Sequence, residues 1–410
     1  MLVTGPQSGT ASQFLGTVSG DVADPAPALP PVAATRTMVL MSEPEPTSDH
    51  ADYDRDLPAH LDRALAGFLD RAGTSIRATE PVFGPAVDAL RDFVLGGGKR
   101  MRPTFAWWSW RGAGGDPDGP RAAGVLHAVA SLELIQACAL VHDDVLDSSD
   151  SRRGAPTVHV AFAARHAEHG WLGSPASFGL AAAVLIGDLA LAWADDMFAE
   201  SPLPAEVLTA ARPAWRAMRT EVLAGQYLDV HTQATGDASV EAALRVDRLK
   251  TAAYTVQRPL HLGAALAGAG PELIDPLMSF GRDLGVAFQL RDDLLGVFGD
   301  PEVTGKPAGD DLREGKRTVL LALGLERARE QGRTADHDAI AAAIGDPALT
   351  VARVDRVREA LTAVGAVAEV ERRIGELRDS ALATLRAAGL TGPATERLTE
   401  LTVRATQRTS

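Results

Sequence analysis

The chain has one cysteine, Cys138, so no disulfide can form within it and a reducing compartment is expected. It also lacks a basic excess. Forty Lys and Arg against 54 Asp and Glu give a formal net charge of −14, which excludes a general nucleic-acid binder with its basic face. No uninterrupted apolar run looks long enough to span a bilayer. The nearest, residues 172–199, is broken by Asp188, Asp195 and Asp196 and reads as a buried helix with a polar end. The N-terminus has neither the basic start nor the compact apolar core of a secretory signal, so a cytoplasmic protein is the expectation. Alternating strand patterns and repeats of solenoid period are missing as well.

What remains is helical. Residues 1–50 are rich in Pro, Ala, Thr, Ser and Gly and read as a disordered extension. From residue 51 to 410, long segments rich in Ala, Leu, Val and Arg alternate with short Gly/Pro breaks. The period predicts an all-α domain, a single large bundle of antiparallel helices joined by short loops. The last stretch, from about residue 351, reads as a peripheral helical pair.

Two aspartate clusters stand at the ends of the apolar helices. In the first, Val125, Val129, Leu132, Gln136, Ala139, Asp143 and Asp147 recur every three or four residues and form one stripe. Asp143 and Asp147 can point into the same space and share a cation. Asp144 is turned away by about 100° and suits a supporting role. The plain alternative is a solvated helix end, but acids at a helix C-terminus oppose the macrodipole. Arg152 and Arg153 follow, and paired guanidinium groups beside a metal suit diphosphate. In the second cluster Gln289, Asp292, Asp293 and Gly296 end another apolar helix. Carboxylates packed this densely resist desolvation, and a hard cation is the simplest relief. Lys306 and Lys316 lie in glycine-flanked loops, where the backbone can approach a phosphate closely. The run Gly96-Gly97-Gly98-Lys99-Arg100-Met101-Arg102-Pro103 is a third anion-site candidate, with Lys99 and Arg102 three apart. It is not a P-loop, because the Gly-x4-Gly-Lys-Ser/Thr order is absent. Lys250 and Thr251 sit inside a helix, where a lone Lys is ordinarily a snorkelling surface residue. Cys138, inside an apolar helix, reads as a small core residue.

Together these motifs resemble the trans-isoprenyl diphosphate synthases of the polyprenyl synthetase family, over roughly residues 57–330. "GGGKRMRP", "LELIQACALVHDDVLDSSDSRRG", "GQYLD", "LKTAAY" and "FQLRDDLLGVFGDPEVTGKPAGDDLREGKRT" occur in the family's order. The resemblance implies helices around a central cavity, a homodimer, and three Mg²⁺ ions between the aspartate motifs. It implies metal ligation by Asp143, Asp147 and Asp292, with Asp144 and Asp293 in support. Arg152, Lys250 and Lys306 would hold an allylic diphosphate (dimethylallyl, geranyl or farnesyl). Thr251, Gln289, Gln226 and Asp229 would line the reacting region, and Lys316 a neighbouring part of the loop. Lys99, Arg102, Gln136 and Arg153 match the isopentenyl diphosphate site. One departure stands out: Gly296 replaces the last Asp of the second motif.

The implied reaction is a head-to-tail condensation. A class I terpene cyclase, the nearest rival, would not need the Gly-Lys-Arg loop or Arg153. A non-catalytic partner subunit would be expected to lose a metal motif, yet both remain. The expected product is geranylgeranyl diphosphate, C20, with shorter C15 or longer chains as the alternatives. Ala139 sits roughly 6 Å and Leu132 roughly 16 Å below Asp143 on the stripe. Small Ala139 and Cys138 should let the chain pass, and Leu132 should form a floor.

Overall fold

Asp56 caps the first helix through the amide of Ala59, and α1 (Leu57–Thr79) buries Leu61, Leu65, Phe68 and Leu69 on one face. The computed structural model describes residues 52–299 and 309–407, so the readings of residues 1–50 and of Lys306 lie outside the described residues. The chain divides into Met1–Asp49 and a second unit, His50–Ser410, to which the described residues belong.

After α1 come α2 (Gly84–Leu95), α3 (Met101–Gly112), α4 (Ala122–Ala130) and α5 (Leu132–Leu146). The aspartate stripe is thus carried on two helices that meet at Ser131, whose hydroxyl donates to the Ala128 carbonyl. A two-residue hairpin, β1 (Ser151–Arg152) with β2 (Ala155–Pro156), is the one strand pair among the described residues. Next are α6 (Val158–Glu168), α7 (Pro175–Ala199), α8 (Ala205–Thr235) and α9 (Val240–Val246). The chain then widens into a π-helical segment, Asp247–Gln257, before α10 (Arg258–Leu266) and α11 (Pro271–Phe298). The remainder is α12 (Asp310–Arg313), α13 (Val319–Glu330), α14 (Thr334–Ala341), α15 (Val351–Ala363), α16 (Ala366–Ala387) and α17 (Ala394–Thr406). The expected all-α class holds.

The π segment is pressed from both sides. A Cβ on Gly225 of α8 would lie 2.4 Å from the Lys250 nitrogen. One on Gly285 of α11 would lie 2.5 Å from the Ala252 Cα, and one on Gly281 2.7 Å from the Gln257 Cα. Three glycines therefore let α8 and α11 close on the backbone of a segment wider than an α-helix. Such distortions are rare and concentrate at functional sites.

Three expectations change. The residues after 351 are no peripheral pair: they form three helices, α16 runs along α11, and α17 packs on α3. Small or compact residues, Ala381, Val370 and Ile374, give α16 a contact face that its charge hides in the sequence. By length and composition, two helical stretches are apolar enough to cross a membrane: Ala122–Leu146, 78% buried, and Pro175–Ala199, 33% buried. The first is a core stretch. The second, α7, is not the buried helix expected, because Phe178, Leu180, Val184 and Leu185 stay exposed. Nothing in one copy of the described chain covers that face.

Candidate active site

A cavity of about 1850 Å³ is lined by residues of α3, α5, α8, the π segment, α11 and α17. Both aspartate motifs and the Gly-Lys-Arg loop reach it, through Asp143, Asp292, Asp293, Lys99 and Arg102.

The first motif comes with its own cations. Lys250 places its Nζ 2.9 Å from Asp143 Oδ1 and 2.6 Å from Asp229 Oδ2. Gln226 donates its Nε2 to the same Asp143 oxygen at 2.9 Å. Burial pushes the Asp143 carboxyl up, but Lys250 and Lys316 outweigh it and the net shift is downward. Lys250 is thus no snorkelling residue; its ammonium stays charged despite burial because Asp143 and Asp229 flank it. Lys316 approaches Asp147 at 3.2 Å, Glu314 at 2.6 Å and Asp311 at 3.8 Å. The Asp147 carboxyl is still pushed up to about 6, chiefly by burial, with Asp143 and Glu314 adding to it against Lys316. Asp144 points away from the cavity, as its position in the turn implies. It is buried and gripped by Arg152 of the hairpin through Nε at 2.8 Å and Nη2 at 2.6 Å. Neither Asp147 nor Arg152 is part of the cavity lining.

In the second motif a neutral donor holds Asp293. Thr251 donates to Gln289 Oε1 at 2.6 Å, and Gln289 Nε2 donates to Asp293 Oδ1 at 2.8 Å. The other Asp293 oxygen is buried with no hydrogen-bond partner. Burial, together with the nearby Asp311 and Asp292, pushes this carboxyl up to about 7. Asp247, at the start of the π segment, also lines the cavity with a buried, unpartnered oxygen. Burial and the fields of Asp293 and Asp229 hold its carboxyl well above the usual range. The sequence reading passed over it, because only the packing of α8 and α11 brings it to these acids. Gly296 also finds a reason. A Cβ there would lie 1.9 Å from Asp311 Oδ2, so the carboxylate missing from the motif leaves room for one from α12.

The third group gathers at the Gly-Lys-Arg loop, where Lys99, Arg102, Gln136 and Arg153 all line the cavity. Arg102 donates through Nη2 to Thr255 Oγ1 at 2.8 Å, and its guanidinium lies 4.1 Å over the Tyr254 ring. Its Nε is buried without a partner. The Tyr254 hydroxyl donates to Gln136 Oε1 at 2.9 Å. Arg153 takes a left-handed backbone, φ 53°, and donates to the Gly97 carbonyl. Arg100, between the two candidate cations, is structural: it bonds Asp62, Glu133 and the Val94 carbonyl.

Of the chain-length candidates, Ala139 lines the cavity. Leu132 is wholly buried in the core, and the Cys138 thiol lies against His142 at 3.7 Å. Burial pushes that thiol up to about 12, so it is no nucleophile at neutral pH. Leu140, Val222 and Phe288 supply further apolar wall that the sequence reading missed. The available signal was spacing, since Val222 stands four before Gln226 and Phe288 four before Asp292.

Among the described residues, no three His, Cys, Asp or Glu side chains are pre-assembled into a metal cage. The acids nevertheless fit a hard divalent cation. They offer oxygen donors, and Asp147 and Asp293 remain short of positive charge after Lys250 and Lys316 are counted.

The family model for polyprenyl synthetases matches residues 86–360. The chain is 36% identical over 241 residues to the geranylfarnesyl diphosphate synthase of Aeropyrum pernix, covering 57% of this chain and 69% of that one. It is 32% identical over 245 residues to the geranylgeranyl diphosphate synthase of Sulfolobus acidocaldarius, covering 59% and 68%. Among solved structures, it is similar to the geranylgeranyl pyrophosphate synthase of Corynebacterium glutamicum complexed with isoprenyl diphosphate and magnesium. There the TM-score is 0.83 at 49% identity, over 86% of this chain and 99% of that one.

Proposed function

The chain belongs to the polyprenyl synthetase family and is a prenyltransferase, and on that premise we propose that it extends allylic diphosphates with isopentenyl diphosphate to give geranylgeranyl diphosphate, C20. The observation that carries this reading is one cavity shared by two acidic motifs on one side and Lys99, Arg102, Gln136 and Arg153 on the other. That pairing suits two diphosphates, whereas a cyclase handles one.

Asp143, Asp147 and Asp292 would hold Mg²⁺, three ions by the family resemblance. Bound there, Mg²⁺ supplies charge neutralisation for the departing allylic diphosphate. Lys250, already charged at the cavity wall, stabilises the same leaving group. Arg152 and Lys306 are assigned to it by the family resemblance. The allylic C–O bond breaks and its electron pair leaves with diphosphate. The isopentenyl double bond attacks the resulting cation to form the new C–C bond. A proton is then lost to the released diphosphate, which balances the step. Ala139, Leu140, Val222 and Phe288 offer the growing chain a dry apolar wall.

The C20 assignment rests on small Ala139 beside the cavity and on the geranylgeranyl-forming relatives. Incubation with labelled isopentenyl diphosphate and each starter reads the product length directly. Ala139→Phe is expected to shift it toward C15. Unchanged length in that variant removes α5 as the ruler.

We also assign a homodimer. α7 exposes an apolar face and α8 exposes Leu223, Tyr227 and Val230, and a second copy is the occupant the family resemblance implies. Leu185→Asp is expected to give monomers in sedimentation equilibrium, where the parent gives dimers. A monomeric parent ends this assignment.

A further inference from the structure

The π segment presents two pairs of side chains, and only one has a role so far. Lys250 and Thr251 serve the acidic side of the cavity, through Asp143, Asp229 and Gln289. Tyr254 and Thr255, one turn on, serve the basic side. Tyr254 is 2% exposed, lines the cavity and touches two members of the isopentenyl diphosphate group at once.

Its hydroxyl occupies the oxygen of the Gln136 amide, at 2.9 Å. A glutamine whose Oε1 is taken has its Nε2 hydrogens left to donate, so the hydroxyl fixes which end of the amide serves an anion. Its ring lies 4.1 Å beneath the Arg102 guanidinium, and Thr255 ties down Nη2 of the same group at 2.8 Å. A guanidinium held on one face and at one corner keeps its plane fixed. The remaining N–H groups, among them the buried and unpartnered Nε, are then offered without conformational cost. Burial keeps the Tyr254 hydroxyl protonated, so it remains a donor throughout the neutral range.

We propose that Tyr254 is a positioning residue for isopentenyl diphosphate, acting through Gln136 and Arg102, and that the π segment thereby sets the spacing between the two diphosphate subsites. The proposal rests on the assignment of Lys99, Arg102, Gln136 and Arg153 to isopentenyl diphosphate. An α-helical path through residues 250–255 would turn Tyr254 to a different angle relative to Lys250. The wide turn, admitted by Gly225, Gly281 and Gly285, brings both pairs to one cavity.

The test is steady-state kinetics of the full-length enzyme with Mg²⁺, varying each substrate in turn, for Gln136→Ala, Tyr254→Phe and the double variant. Phenylalanine keeps the ring and fills the same space, so thermal melting should match the parent. Tyr254→Phe is expected to raise KM for isopentenyl diphosphate about fivefold, the loss of one hydrogen bond, with the allylic KM unchanged. Adding it to Gln136→Ala should cost nothing more, because the hydroxyl works through that amide. An unchanged isopentenyl KM, equal rises for both substrates, or multiplied effects in the double variant would each overturn the role of Tyr254. A Gln136→Ala variant with normal isopentenyl KM overturns the subsite assignment itself, and the proposal with it.

Discussion

The two aspartate motifs look alike in sequence, yet the acids of the first and Asp293 of the second sit in different surroundings. In the first, Asp143 meets Lys250, Asp144 meets Arg152 and Asp147 meets Lys316, so every carboxylate has a protein cation. In the second, Asp293 has the Gln289 amide, a bare oxygen, and Asp247 and Asp311 for company. In the first cluster Asp143 is well compensated, whereas Asp147 shares Lys316 with Glu314 and Asp311. Asp293 carries repulsion from Asp311 and Asp292 at a buried position. A cation bound on the proposed function would compete with Lys250 for Asp143 and would relieve the repulsion at Asp293.

The largest expected effect ignores that difference. Asp143→Ala and Asp292→Ala should each lower turnover by orders of magnitude with helicity intact by circular dichroism, because on the proposed function both sides would hold the metal. Near-normal activity in either would break the two-sided site.

The contrast itself is sharpened by stability. Lys316→Met removes the cation that faces Asp147, Asp311 and Glu314, and should cost roughly 2–3 kcal/mol in denaturant melts, less than a fully buried pair because the lysine is 21% exposed. Gln289→Leu removes a neutral donor from an acid already pushed toward its protonated form, and should cost about 1 kcal/mol. Equal losses would show that the motifs are not built differently after all.

A smaller effect follows from pH. The carboxyls of Asp293, at about 7, and Asp147, at about 6, lie above the unfolded value of about 4, so the folded state binds more protons between those limits. Their contribution is fully present below about pH 4 and is lost as pH rises through 6 and 7. The metal-free protein should therefore melt at a lower temperature at pH 8 than at pH 5. Asp293→Asn should flatten that slope more than Asp147→Asn does.

How much of this could be read from the chain alone also divides along the two motifs. Asp143, Gln136 and Ala139 share a face because helical spacing says so, and the cavity lies along that face. The same spacing argument turned Asp144 away, as found. What spacing could not supply was the partner from across the bundle. Lys250 owed its place at the allylic diphosphate to the resemblance, since spacing alone gave only an ordinary surface lysine; its acids, Asp143 and Asp229, come from other helices. The wide turn at residues 247–257 left its trace on its neighbours, in Gly225, Gly281 and Gly285, not in its own residues. The α7 helix was misjudged for a related reason: an apolar composition says that a face will be covered, not by which molecule.

Gly296 carries a warning for anyone redesigning this sequence. Measured against its family, the second motif looks one aspartate short, and restoring it is the obvious repair. The space is already taken, since Asp311 Oδ2 would lie 1.9 Å from the new Cβ. Completing the motif on paper would evict one carboxylate to install another, and would pull Asp311 away from Lys316 in doing so. The family's residue here would require Asp311 to move, and the glycine is one half of an exchange between two segments of the chain that are best edited together.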